Sequence, residues 1–316
     1  MKKILFLFVF ITSLFSTTII QPTARYISSG AVTDIVYKNA KLYSATDASS
    51  VDIFDVQTRE VIETIKISQI KDFMGDLIDS KVYSVDVYNE KILILSQAQK
   101  GARRVHIYEN KKLELIIDYK EKLFIAKAKF IDEDTILLGL LSNEIISYDI
   151  KKRKENFRTQ VSFSKFSNFV LNEDKSEVIV ADESGDLKIH STKDAQLLKE
   201  LRGQNLDNVF QVDTKNGIIA TAGQDRRVVI YTPKRNTSYY KSGSFLIYSV
   251  GLSPSGKIVG YASDEDNNVA LFNTLTQSDI GLYGGNKMTL NNILFINENE
   301  FFSASDDKTI NLYKIK

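Results

Sequence analysis

A four-residue pattern recurs seven times along this chain: an apolar residue, a variable one, an apolar one, then an aromatic or His. The copies are Val51-Asp52-Ile53-Phe54, Val105-His106-Ile107-Tyr108, Ile145-Ile146-Ser147-Tyr148, Leu187-Lys188-Ile189-His190, Val228-Val229-Ile230-Tyr231, Val269-Ala270-Leu271-Phe272 and Ile310-Asn311-Leu312-Tyr313. Their first residues fall at 51, 105, 145, 187, 228, 269 and 310, so the steps are 54, 40, 42, 41, 41 and 41. An even period in this range marks a propeller or a solenoid, in which no unit buries its faces alone.

The last copy shows what one unit contains. Leu290 to Ile296 reads as a buried strand, Asn297-Glu298-Asn299 as a turn and Glu300 to Ser305 as a second strand. Asp306-Asp307-Lys308 is the next turn and Thr309 to Lys314 the third strand. Earlier units add a fourth, as in Val61 to Ile67 and Leu113 to Ile117. Short strands between polar turns predict an all-β chain. Three Pro in 316 residues suit many paired strands, because Pro donates nothing to a ladder. Four-stranded units at this period fit the blades of a β-propeller, and seven copies predict seven blades. The last unit stops after its third strand. The extended segment Thr18-Ile19-Ile20, Pro22 and Arg25-Tyr26-Ile27 is expected to supply the missing fourth and latch the ring.

The N-terminus follows a different pattern. Lys2 and Lys3 precede an apolar run from Ile4 to Ile11 that extends through Leu14 and Phe15, and the small residues Ser16, Thr17 and Thr18 follow. This is the layout of a secretory signal, and the run is short for a membrane span. Residues 1–16 are therefore expected to be an export signal and residues 17–316 a single propeller. The mature protein is expected in the periplasm with no stable membrane insertion. Removing Lys2 and Lys3 takes the formal charge from +1 to −1. That balance gives no basic footprint for nucleic acid.

Ser303-Ala304-Ser305-Asp306-Asp307-Lys308-Thr309-Ile310-Asn311-Leu312-Tyr313 resembles the end of a WD40 repeat, with Tyr313 where Trp is usual. Ala222 to Tyr231 is similar, as is Ser44-Ala45-Thr46-Asp47 leading to Asp55. The resemblance implies a seven-bladed WD40-like propeller. The departures are specific: the family's Gly-His pair is absent, with Gly203-Gln204 the nearest relic, and the terminal Asp survives only at Asp55 and Asp149. The family's hydrogen-bonded tetrad is therefore not expected in most blades, and the aromatics are expected to pack between blades.

The catalytic inventory is sparse. There is no Cys, so disulfides, thiolate metal sites and Cys nucleophiles are excluded. His106 and His190 lie in different repeats and make no typical zinc site without added carboxylates. There is no haem-attachment motif, no phosphate-cradling loop and no Trp. Asp182-Glu183 with Asp186, Asp264-Glu265-Asp266 and Asp306-Asp307 fall in turns between second and third strands. They are read first as ordinary turn formers, since none has EF-hand spacing. No catalytic residue, cofactor or metal ligand is assigned. Asp86, Asn168 and Asn291, in first strands, would be the convergent set of a calcium-dependent, lactonase-like hydrolase.

Partner binding is the remaining chemistry. The turns after second strands are basic at Lys100, Arg103 and Arg104 in the second repeat and at Arg226 and Arg227 in the fifth, a split charge pattern that would orient a protein partner. Lys111-Lys112, Lys151 to Lys154 and Lys234-Arg235 would form a basic arc on the opposite face. The long first step inserts about 13 residues between Ile67 and Val82. Ile70, Phe73, Met74, Leu77 and Ile78 have the spacing of a short amphipathic helix, which Ser68 would cap and Gly75 would weaken. Its apolar side is expected to fold onto the propeller or dock a partner. Phe73, Met74, Leu77, Arg103, Arg104, Arg226 and Arg227 are thus the partner-binding candidates.

An exported, thiol-free ring of degenerate repeats is similar in plan to the NapL family, periplasmic accessory proteins of bacterial nitrate-reductase gene clusters. That likeness implies a non-enzymatic scaffold whose partners are periplasmic proteins, nitrate reductase components among them. An outer-membrane assembly scaffold is the alternative binding function.

Overall fold

The computed structural model describes residues 18–315; the expected export signal over residues 1–16 lies outside them. Seven sheets, antiparallel but for one short added strand, follow one another along the chain as the blades of a β-propeller. Blade 1 is built from Val32–Lys38, Lys41–Thr46, Ser50–Asp55 and Val61–Lys66. Blade 2 uses Val82–Tyr88, Lys91–Gln97, Arg103–Glu109 and Lys112–Ile117. Blade 3 uses Ile125–Phe130, Thr135–Leu140, Glu144–Asp149 and Lys154–Gln160. Blades 4 and 5 begin with Phe166–Leu171 and Val209–Lys215, blades 6 and 7 with Val250–Leu252 and Leu290–Asn297.

The apolar residues of the repeat explain why the ring holds. Each buried cluster is shared by two neighbouring blades. Leu93 and Ile107 of blade 2 pack with Phe130, Leu138 and Tyr148 of blade 3. Ile179 and Ile189 of blade 4 pack with Val212, Val229 and Tyr231 of blade 5. The aromatics that end the pattern sit in these junctions: Phe54 against blade 7, Phe272 against blade 5 and Tyr313 against blade 6. Each such side chain contributes about 1.5–3 kcal/mol by leaving water.

The ring closes as expected. Ala24–Ile27 pairs antiparallel with the third strand of blade 7, Tyr26 opposite Ile310, and completes that blade. A further latch lies upstream. Ile19–Ile20 pairs in parallel with Asp279–Tyr283, the fourth strand of blade 6, and gives that blade a fifth strand. Ile19-Ile20 is thus extended as expected but joins blade 6 and not blade 7, because only Ala24–Ile27 reaches the open edge of the last blade.

Antiparallel strands divide the turns between two faces. The turns joining second to third strands and the connections leading to the next blade share the upper face. The turns joining first to second and third to fourth strands share the lower one. A recurring backbone bond ties the upper set together: Gln97 N donates to Lys81 O, Leu141 N to Phe124 O, Glu183 N to Lys165 O and Asp306 N to Thr289 O.

The inserted segment is not a helix. It forms a two-residue hairpin in which Ile70 pairs with Ile78 and Lys71 with Leu77. Asp72 Oδ1 accepts from Met74 N at 2.8 Å and from Asp76 N at 2.9 Å, which folds the chain back on itself. Gly75 sits at φ +94°, a value open to Gly and foreign to a helix. Ile70 alone of the predicted apolar stripe is buried, at 5% exposure; Phe73 is 96% exposed.

Candidate functional site

Three places combine chemistry with access: the axial channel, the upper face and the hairpin. The channel is lined by the seven first strands. Its cavity, about 360 Å³, holds Asp34, Asp86, Lys127, Lys129 and Asp213, with Lys175 where it reaches the lower face. The aspartates brace one blade against the next. Asp34 Oδ2 accepts from Val85 N at 3.0 Å, Asp86 Oδ2 from Phe130 N at 2.7 Å and Asp213 Oδ2 from Leu252 N at 2.8 Å.

The amines differ in what neutralises them. Lys129 Nζ donates to Asp34 Oδ2 at 3.2 Å and to Val85 O at 2.7 Å. Burial works against its charge, but Asp34 and Asp86 outweigh that and hold its pKa above the ordinary lysine value. Lys127 Nζ donates to the neutral Asn168 Oδ1 at 2.8 Å and lies 5.5 Å from the Phe169 ring centre. Burial, reinforced by the like charge of Lys129, pushes its pKa down to about 8. Lys175 Nζ lies 5.0 Å from the Tyr88 ring centre, and burial lowers its pKa too.

Asp86 and Asn168 do line or face the channel, whereas Asn291 Nδ2 donates to Val32 O and Asp306 Oδ1 at the upper rim. The three therefore do not form one oxygen cage. Among the described residues no three His, Cys, Asp or Glu side chains converge as a cation site. The acidic turns act locally. Asp182 is buried and accepts from Asn143 Nδ2 and Ser162 Oγ, which joins blades 3 and 4. Asp225 accepts from Leu206 N and Arg227 N.

The upper face gathers exposed apolar side chains from successive connections. Phe73, Met74 and Leu77 lie between blades 1 and 2, Phe124 between 2 and 3 and Phe163 between 3 and 4. Leu206 and Met288 follow between blades 4 and 5 and between 6 and 7. Phe163 is wholly exposed. The lower-face turns contribute Leu275 alone among the described residues. A sequence scan missed Phe124, Phe163, Leu206 and Met288, because single apolar residues in separate loops carry no periodicity.

The structure brings some of the partner-binding candidates together. Phe73 and Met74 border a cleft of about 910 Å³ between the hairpin and the Gln97–Gly101 turn, beside Arg103 and Arg104. Arg104 anchors the hairpin, since its guanidinium donates to Ser68 O and to Ser80 Oγ at 3.2 Å. Arg103 stacks on Tyr83 at 3.9 Å. Arg226 and Arg227 belong to blade 5, three blades away. Arg226 is exposed, while Arg227 stacks on Tyr240 at 4.0 Å and donates to Gln204 O. On the lower face the basic arc is partly neutralised: Lys151 pairs with Asp134, Lys152 with Asp149 and Arg153 with Glu114.

Both histidines are buried. His106 is pushed down to about 4 by burial, then by Arg104, and is neutral at physiological pH. His190 Nδ1 donates to Ala195 O at 2.8 Å. Polar networks also exist where the sequence left them unexpected. Before blade 7, Asn286 Oδ1 accepts from Ser303 Oγ at 2.7 Å and Asn311 Nδ2 at 2.8 Å. Before blade 5, Asn205 Oδ1 accepts from Thr221 Oγ1 at 2.7 Å, and its Nδ2 donates to Tyr231 Oη at 3.0 Å. A side-chain amide in the connection can thus organise the blade behind it without an imidazole.

No family model matches the chain, and no curated protein matches it.

Proposed function

We propose that this protein is a non-enzymatic interaction module of the periplasm that docks a protein partner on its upper face. The observation that carries the reading is the exposed series Phe73, Met74, Phe124, Phe163, Leu206 and Met288 along one face of a rigid ring. Such clustering on one side marks an interaction surface more than scattered exposed residues do. Aromatic and Met side chains suit the centre of a protein interface.

The finer reading is a WD40-like accessory factor of the periplasmic nitrate reductase system. Two features support the WD40 likeness: the third-strand aromatics in the blade junctions, and amides at Asn205 and Asn286 bonded to the second and third strands. The Lys2-Lys3 and apolar leader supports export. The calcium-dependent hydrolase is the weaker reading. An ammonium donates to Asn168, where calcium would need a free oxygen ligand.

The test is affinity purification from periplasm of cells respiring on nitrate, with wild type and the double variant Phe73→Asp, Phe163→Asp. Nitrate reductase components should be retained by wild type and lost with the variant. Both positions are exposed, so the variant should keep its stability within about 0.5 kcal/mol. Retention of other periplasmic proteins alone would remove the nitrate reductase reading, and equal retention by the variant would remove the upper face.

A further inference from the structure

Among the described residues, the channel contains an ammonium, that of Lys127, with no carboxylate in direct ion-pair reach. The channel carboxylates each hold a backbone N–H of the neighbouring blade, and Asp34 also takes Lys129. Glu173, at the lower mouth, accepts from Asn216 N, and Lys215 lies 4.0 Å from Asp213. Lys127 touches only an amide oxygen and a ring face; burial and the like charge of Lys129 outweigh Asp34, Asp213 and Asp86, which favour its charge without contacting it. A partly desolvated cation without a directly paired counter-charge is relieved by losing its proton or by gaining an anion.

The shape of the cavity says which anion. Its volume of about 360 Å³ suits a small molecule. Val36, Val170, Val250 and Leu294 supply apolar wall between the charged groups. One amine is free at this depth, because Lys129 is held by Asp34, so a single negative charge is matched and a dianion is not. Lys175 crosses from the first turn of blade 4 to Tyr88 of blade 2 at the lower mouth, where a positive charge draws anions inward. We propose that the channel binds a small organic monocarboxylate, its carboxylate paired with Lys127 and its apolar body against the valine and leucine wall. Entry is from the lower face, so the site and the upper-face partner surface are independent.

The experiment is thermal denaturation of the full chain with sodium butyrate, sodium phosphate or sodium chloride at equal ionic strength. Butyrate should raise Tm above the chloride value at neutral pH. The gain should shrink at about pH 9.5, where Lys127 has lost its proton while Lys129 keeps its own. Lys127→Met, which retains the stem, should lose the gain. Equal stabilisation by chloride or by phosphate, or an undiminished butyrate gain in Lys127→Met, overturns the proposal. Should that variant fold poorly, isotope-labelled lysine spectra of the wild type decide. Butyrate should raise the Lys127 pKa by one unit or more, a tenfold gain in proton affinity, and an unmoved titration overturns the proposal.

Discussion

Tyr26 donates its hydroxyl to the carbonyl oxygen of Val56 at 2.8 Å, and so joins the closing strand of blade 7 to the turn after the third strand of blade 1. Its ring meets Phe54 of blade 1 and Phe302 of blade 7 edge-on, each with centres 5.6 Å apart. One side chain therefore bridges the seam where the two ends of the chain meet.

Tyr26→Ala should destabilise the protein by about 3–5 kcal/mol, the usual cost of emptying a large aromatic site in a core. Tyr26→Phe keeps the packing and leaves the Val56 carbonyl short of a donor, which costs about 1 kcal/mol. Urea unfolding followed by circular dichroism measures both. Equal losses in the two variants would place the energy in the hydroxyl and not in the ring.

Asn286 takes two hydrogen bonds at Oδ1 and gives two from Nδ2, to Asn267 O and Tyr313 Oη, all in a buried connection. Asn286→Ala strands the hydroxyl of Ser303 and leaves the Asn311 amide only its 3.4 Å bond to Gly285 O. The expected loss is roughly 2–4 kcal/mol. A loss below about 0.5 kcal/mol in chemical denaturation would mean that water replaces the amide freely.

His106 makes stability depend on pH. Its folded pKa is depressed from 6.5 to about 4, so the unfolded chain binds the extra proton in that window. Stability from this group is complete above 6.5 and falls as pH drops towards 4, by on the order of 3 kcal/mol. The difference in urea midpoint between wild type and His106→Leu should change with this slope as pH falls, wild type losing the more stability. Parallel midpoint curves would show that His106 is protonated without cost in the fold.

Arg104 is the side chain that ties Ser68 and Ser80, at the two ends of the hairpin segment, to blade 2. Arg104→Ala should leave the ring folded and loosen the segment from 69 to 79. Hydrogen exchange there should quicken, with protease cleavage appearing near the exposed Phe73. Unchanged exchange across this segment would mean that Ile70 and the Ser49 Oγ–Asp79 hydrogen bond anchor it without Arg104.

Much of the architecture was legible before any coordinates. The pattern ending in Phe54, Tyr108, Tyr148, His190, Tyr231, Phe272 and Tyr313 placed a third strand in each blade, and the unit lacking a fourth strand pointed to Tyr26. The spacing over Ile70 to Ile78 fits a helix and yet forms a hairpin, for a physical reason. A hairpin of two-residue strands pairs Ile70 with Ile78, and the same residues satisfy a helical spacing. The signal that separated the two was local: Asp72 followed by Gly75, an acceptor and a left-handed position that together make a turn.

The repeated run of apolar residues by itself determined the all-β ring, its seven blades and its latch, because wedges of one kind hide their faces only against copies of themselves. Only the tertiary structure decided what the ring encloses and presents. Lys127, Lys129 and Asp34 come from first strands of two blades, and Phe73, Phe163 and Met288 from separate connections. Strand pairing and blade packing are written in local periodicity. Convergence on an axis or a face depends on how the whole ring closes, and no stretch of sequence contains that.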